Sequence, residues 1–123
     1  MSVRILYVDD DEMIREIAGL SLAMDPEYEV RLCASGKEAL EQVGAWRPDL
    51  VLLDVMMPDM DGPATLAKLR QLPDMVDVPV VFITARAQNS DRDNFAALGA
   101  AGTIVKPFDA MHLAATVRGY IGS

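Results

Sequence analysis

Apolar runs in this chain stop at polar groups that could do chemistry. Leu50 to Leu53 gives way at once to Asp54, Val3 to Val8 to Asp9 and Asp10, Val80 to Ile83 to Thr84, and Ala101 to Val105 to Lys106. If those runs are neighbouring strands, their terminal side chains meet in one crevice. Three carboxylates at close quarters repel one another, which raises the proton affinity of at least one unless a cation intervenes. Hard oxygen ligands, few in number and leaving room for a phosphate partner, suit Mg²⁺. Lys106 adds a compact positive charge and Thr84 a hydroxyl, both suited to holding phosphoryl oxygens. The chemistry indicated is that of a phosphoryl group beside a metal.

The elements that must position these groups follow from the same pattern. Leu50 to Leu53 lacks polar alternation, as expected of a strand covered by helices on both faces. Asp54 then lies at its carboxyl end, where the loops of an open α/β sheet diverge and leave a ligand crevice. Val3 to Val8 reads as the first strand. Met13, Ile14, Ile17, Leu20 and Met24 recur at helical spacing, predicting a helix that stops before Pro26. Tyr28 to Cys33 is a second strand. Ser35 and Glu38 form a capping box for a helix carrying Leu40, Val43 and Trp46 and ending before Pro48. After Asp54, the segment Met57, Pro58, Asp59 and Gly62 is a Pro-broken loop. Asp61 caps a helix beginning near Gly62 and Pro63, with Leu66 and Leu69, that ends before Pro73. Pro79 to Thr84 is a strand. Gln88 to Leu98 is a helix with Ser90 as cap and Gly99 as stop. Ala101 to Val105 is the last strand, and Asp109 caps a terminal helix whose Leu113, Val117 and Ile121 face the core. Five strands alternating with five helices predict parallel strands, right-handed crossovers and a doubly wound three-layer α/β sandwich.

Composition excludes several other readings. A chain of 123 residues is one domain, able to bury roughly two-thirds of its unfolded surface. Its formal charge of −8, with 19 acidic against 11 basic residues and no Lys/Arg cluster, lacks the positive footprint that nucleic-acid binding needs. No apolar run approaches the ~20 residues of a membrane span. The apolar N-terminal run ends in acids without a small-residue cleavage site, so no signal peptide is expected and the cytoplasm is the expected compartment. Cys33 is the only cysteine, which excludes an internal disulfide and makes it core filler. Asp10 reads as a helix N-cap, a role compatible with metal ligation, and Asp11 and Glu12 as acids of the first helical turn. Asp59 and Asp61 are turn and cap residues, since the segment lacks the first aspartate and final glutamate of a calcium loop. His112 is expected at the surface and the methionines mainly in the core.

Taken together, Val8-Asp9-Asp10, Asp54 with Met57-Pro58-Asp59-Met60-Asp61-Gly62, Thr84-Ala85 and Lys106-Pro107-Phe108 carry a resemblance. Over essentially its full length the chain resembles the response-regulator receiver domain, of the chemotaxis-regulator type. That resemblance implies a flavodoxin-like five-stranded sheet of order 2-1-3-4-5, as a single receiver domain over residues 1–123. It implies that Asp54 accepts phosphate from a phosphohistidine on a sensor histidine kinase or histidine phosphotransfer protein, switching the binding of a downstream protein target. Asp10 and Asp54 would ligate Mg²⁺ directly with the backbone carbonyl of Met56, and Asp9 through water. Lys106 and Thr84 would hold phosphoryl oxygens, and Met56 or Arg86 would position the water that hydrolyses the acyl phosphate. A cis bond between Lys106 and Pro107 is also implied.

One position departs from the family. Three residues before the lysine most relatives carry Tyr or Phe, which turns inward as the threonine moves toward the phosphoryl group; here stands Thr103. The expectation is that Asp54 is still phosphorylated while the aromatic part of the relay is absent or replaced. Two other functions compete. A Mg²⁺-dependent aspartyl-phosphate phosphatase of the haloacid-dehalogenase type needs Asp-x-Asp-x-Thr after a strand. Asp9-Asp10-Asp11-Glu12-Met13 lacks the threonine, and Asp54-Val55-Met56 lacks the second acid. A pseudo-receiver acting only as a binding module is disfavoured by retention of Asp10, Asp54, Thr84 and Lys106. The receiver reading is of a switch, not of a turnover enzyme; no output domain is expected within these residues after the terminal helix, which leaves a stand-alone regulator or phosphorelay shuttle and a piece of a longer protein both open.

Overall fold

The computed structural model describes residues 2–86 and 88–121, so the tail at Ser123 lies outside the described residues. Strands and helices alternate as β1 (Val3–Val8), α1 (Glu12–Leu22), β2 (Tyr28–Cys33), α2 (Gly36–Val43), β3 (Leu50–Asp54), α3 (Gly62–Leu69), β4 (Val80–Thr84), α4 (Asn89–Ala97), β5 (Gly102–Val105) and α5 (Leu113–Arg118). The strands form one parallel sheet in the order β2-β1-β3-β4-β5. This is the implied doubly wound, flavodoxin-like arrangement. No described helix is long and apolar enough to cross a membrane.

Alternation along the strands builds two cores. Leu6 and Val8 of β1, Val51 and Leu53 of β3 and Phe82 of β4 pack with α2 and α3. Ile5 and Tyr7, Leu50 and Leu52, and Val81 and Ile83 face α1 and α5. Every residue of β3 and β4 is buried, as unalternating apolar runs require. Each large side chain so buried contributes roughly 1.5–3 kcal/mol relative to exposure. Helix α4 is held differently: it has no buried residue, and Phe95 meets Phe82 edge to face, with ring centroids 4.9 Å apart. Cys33 is fully buried, and burial first, then the charge of Glu38, pushes its thiol up to about 12, so it is inert filler.

Several local expectations need correction. The apolar residues that announced α1 are mostly turned to solvent: Met13, Ile17, Leu20 and Met24 are exposed and Ile14 is half-buried, while Ala18, Ser21 and Leu22 are buried. Helical spacing identified the helix, but small residues fill the close approach to the sheet. Asp11, not Asp10, is its N-cap and accepts from the Ile14 amide at 3.1 Å. Ser35 caps α2 as expected, but Glu38 accepts from the Ala34 amide instead of closing a reciprocal box. Helix α2 ends at Val43, leaving Trp46 buried beyond it. Gln88, not Ser90, caps α4, in a reciprocal arrangement with Asp91. Gly99 follows that helix at φ 98°, a conformation that suits glycine. Asp109 does not cap α5; it accepts from the Met111 amide in a preceding turn, and the helix starts at Leu113. A single 3₁₀ turn at Pro73–Met75 was not anticipated. Among the methionines Met57 and Met75 are buried, whereas Met13, Met24, Met56 and Met111 are exposed.

Candidate functional site

Parallel pairing carries the strand ends to a common edge. Val8 pairs with Leu53, Asp54 with Ile83 and Thr84 with Val105, so Asp9, Asp54, Thr84 and Lys106 emerge on adjacent strands at the carboxyl end of the sheet. Asp9, Asp10 and Asp54 each present a carboxylate oxygen within 4.8 Å of the others. Asp9 is fully buried, Asp54 is 5% exposed and Asp10 is exposed. The cluster therefore has a dry floor and a wet mouth.

Lys106 bridges the floor. Its Nζ lies 2.9 Å from Asp9 Oδ2 and 3.3 Å from Asp54 Oδ1. The peptide bond between Lys106 and Pro107 is cis, as expected. Burial opposes the lysine's charge, but the hydrogen bond and charge of Asp9, and then Asp54, outweigh it and hold the ammonium above its ordinary value. Asp54 moves the other way from most paired acids. Burial first and the charge of Asp9 second push its carboxyl up to about 6, against the opposing pull of Lys106. One ammonium thus leaves the cluster with surplus negative charge. An all-oxygen donor set with that surplus and a solvent-facing member fits a hard divalent cation such as Mg²⁺.

The loop after β3 is fixed against Asp54. The Gly62 amide donates to the Val55 carbonyl at 2.9 Å, and a Cβ on Gly62 would fall 2.6 Å from the Asp54 carbonyl oxygen. Only glycine permits that approach. Asp59 adopts φ 69° within the loop, and Asp61 caps α3 through the Ala64 amide at 2.9 Å. The side chain of Met56 stands in solvent, 77% exposed, and lines with Thr84, Arg86 and Phe95 an open depression of about 400 Å³. Thr84 donates from Oγ1 to the Arg86 carbonyl at 2.9 Å, so its hydroxyl is engaged in its own loop. Thr103 is half-buried and borders a cleft of about 210 Å³ with Arg92, Ala96 and Tyr120. The Tyr120 ring crosses Gly102, where a Cβ would lie 2.3 Å from it. His112 is exposed and pairs with Asp109.

Two side chains on Asp9 were not anticipated. Tyr7 donates its hydroxyl to Asp9 Oδ2 at 3.1 Å, and Arg15 donates Nη1 to the Asp9 carbonyl at 2.8 Å. Burial first and the Asp9 charge next raise the proton affinity of the Tyr7 phenol, which keeps it a donor. A signal for Tyr7 was present: residues two apart on a strand share a face. Arg15 had none, because its partner is a backbone atom.

Known proteins were compared with this chain. The family model "Response regulator receiver domain" matches residues 5–118. "Response regulator MprA" of Mycobacterium ulcerans (strain Agy99) is 43% identical over 118 residues, covering 96% of this chain and 50% of that protein. The protein of the same name from Mycobacterium tuberculosis (strain ATCC 25618 / H37Rv) is 42% identical over the same shares. The chain spans about half the length of these curated relatives. Among solved structures, Vibrio cholerae chemotaxis protein CheY4 superimposes with a TM-score of 0.91 at 30% identity, covering 98% of this chain and 100% of that one. A putative response regulator from Chloroflexus aurantiacus J-10-fl gives 0.87 at 33% identity, covering 98% of each.

Proposed function

The chain belongs to the response-regulator receiver family of two-component signalling, and from that premise we propose that Asp54 accepts a phosphoryl group from a phosphohistidine. The observation that carries this reading is the bridge of Lys106 across Asp9 and Asp54, at 2.9 and 3.3 Å, beside the exposed Asp10. In the reaction an Asp54 carboxylate oxygen attacks phosphorus. The phosphorus–nitrogen bond breaks, its electron pair returns to the donor imidazole, and an acyl phosphate forms on Asp54. Lys106 turns to the equatorial phosphoryl oxygens, and the Thr84 hydroxyl leaves the Arg86 carbonyl to join it. Asp10, Asp54 and the Met56 backbone carbonyl would hold Mg²⁺ directly, and Asp9 through water. Bound there, Mg²⁺ supplies positive charge to the carboxylates and the transferring group. Water attack on the acyl phosphate then releases inorganic phosphate and restores the carboxylate.

The donor is a sensor histidine kinase or histidine phosphotransfer protein, and the product state changes affinity for a downstream protein. Support for a protein donor comes from α1: its exposed Met13, Ile17 and Leu20 continue into an apolar hollow lined by Ile14, Ile17, Lys106, Pro107 and Phe108. An apolar helix face beside the crevice suits docking of another helix. Incubation with acetyl phosphate and Mg²⁺, read by mass spectrometry, tests the proposal. One added phosphoryl group, absent in Asp54→Ala, is expected. Turnover of a small phosphoester without stable modification would favour the phosphatase, and no modification would favour a binding module.

A further inference from the structure

The buried hydroxyl of Tyr7 has a choice of partners in its core that its neighbour illustrates. Tyr28, in the same core, donates to a backbone carbonyl, that of Ala114, at 2.7 Å. Tyr7 donates instead to a carboxylate of the site, and to the same oxygen that Lys106 holds: Asp9 Oδ2 receives the phenol at 3.1 Å and the ammonium at 2.9 Å. Asp9 Oδ1 receives the Asp11 amide at 2.9 Å. A carboxylate oxygen has two lone pairs, so Oδ2 is filled by these two donors.

We propose, building on the phospho-acceptor reading above, that Tyr7 is a positioning residue for phosphoryl binding: its hydroxyl keeps Asp9 Oδ2 satisfied on the buried wall when Lys106 leaves that oxygen for the phosphoryl group. Lys106 is shared between two carboxylates and must be shared again with the incoming oxygens. Asp9 is fully buried, and a buried carboxylate oxygen stripped of donors is costly. With the phenol present, Oδ2 retains a protein donor after the ammonium turns away and the Asp11 amide retains Oδ1, so the carboxylate stays oriented toward the water through which it would reach Mg²⁺. Without the phenol, the ammonium is the only one of the two Oδ2 donors left, and its departure is opposed. The burden falls on the loaded state, because in the free state Lys106 remains in place. The ring of a phenylalanine would fill the same space between β1 and the α1/α5 layer, so the substitution tests the hydroxyl alone.

The test is a titration of the full chain, in Mg²⁺, with beryllofluoride as phosphoryl mimic, followed by NMR at the Asp11 amide, which reads Asp9 directly. Tyr7→Phe, Asp9→Asn and the double variant are compared with the unsubstituted protein. Tyr7→Phe is expected to weaken beryllofluoride binding about five- to tenfold, and to weaken it less than about twofold when Asp9 is already Asn. Binding equal to that of the unsubstituted protein, or an equal loss in both backgrounds, would overturn the inference; equal loss is the mark of a packing role. A second measurement needs no variant. The Tyr7 Cζ shift should report a retained hydrogen bond while the Lys106 Nζ signal moves on loading, and loss of that bond on loading refutes the proposal. Failure of the unsubstituted protein to bind beryllofluoride would sink the phospho-acceptor reading itself and this inference with it, an outcome distinct from the others.

Discussion

Replacing Asp54 by Asn should stabilise the protein, and only where the carboxylate would be charged. Burial and Asp9 raise the Asp54 carboxyl from an ordinary 3.8 to about 6 even after Lys106 has lowered it. Below the ordinary value the group is protonated whether the chain is folded or not, and contributes nothing. Between 3.8 and about 6 the unfolded chain has released the proton that the folded chain keeps, so stability falls as pH rises. Above about 6 the full penalty is present, roughly 3 kcal/mol for a rise of this size. Asparagine carries no such penalty but must bury an amide, so a net gain of about 2 kcal/mol is expected above pH 6. The assay is urea unfolding of both proteins between pH 3.5 and pH 8 without divalent cations. The difference should swing by roughly 3 kcal/mol, from Asp54→Asn about 1 kcal/mol the less stable at the acid end to its plateau above pH 6. A difference that is constant across pH, or Asp54→Asn less stable at pH 8, would refute the charge argument.

Removing the other half of the bridge acts oppositely. Lys106→Ala leaves Asp9 with only the Tyr7 hydroxyl and the Asp11 amide, and should cost about 2–3 kcal/mol at neutral pH in the same assay; it should also raise the Asp54 carboxyl further, since Lys106 opposes that rise. Gly62→Ala forces a Cβ to 2.6 Å from the Asp54 carbonyl oxygen, backbone that cannot swing away. A loss above roughly 2 kcal/mol is expected, with Mg²⁺ affinity measured by calorimetry reduced as the loop shifts. Loading with a phosphate mimic should move the Thr84 hydroxyl off the Arg86 carbonyl and alter amide shifts around Thr103 and Tyr120; an unmoved Thr84 with an unchanged α5 surface would exclude even a modified relay.

Long-range arrangement was legible because it follows from strand order. Asp54, Asp9 and Lys106 each terminate an apolar run, and parallel pairing leaves their ends no separate place to go. Boundaries were less legible wherever a cap competed with a neighbour of similar chemistry. Asp10 and Asp11 are both good N-caps, and the choice of Asp11 depends on Asp9 already accepting the Asp11 amide, a tertiary fact. Ser90 is a better intrinsic cap than Gln88, but Gln88 and Asp91 satisfy each other. The face of α1 misled because Ala18 and Ser21 sit beneath it, and small residues carry little hydropathy signal. The Ser21 hydroxyl bonds the Ala110 carbonyl, a contact across the whole chain that no local pattern announces.

Strand β3, buried at every position and flanked on each side by a paired strand, gives the Asp54 carboxyl a rigid mounting. Whatever charge or bulk is added at residue 54 finds no slack beneath it, since both cores close on Leu52 and Leu53. Displacement is thereby directed outward, into the two segments that leave the sheet beside it: Val55 to Gly62, pinned at its far end, and Ala85 with Arg86, tied through Thr84 and by the exposed pair of Arg86 with Asp91 at 3.7 Å. The second is the softer, and it leads to α4, the helix with no buried residue. A stiff anchor beside a loosely seated helix sets the direction in which a local event can be felt at a distance.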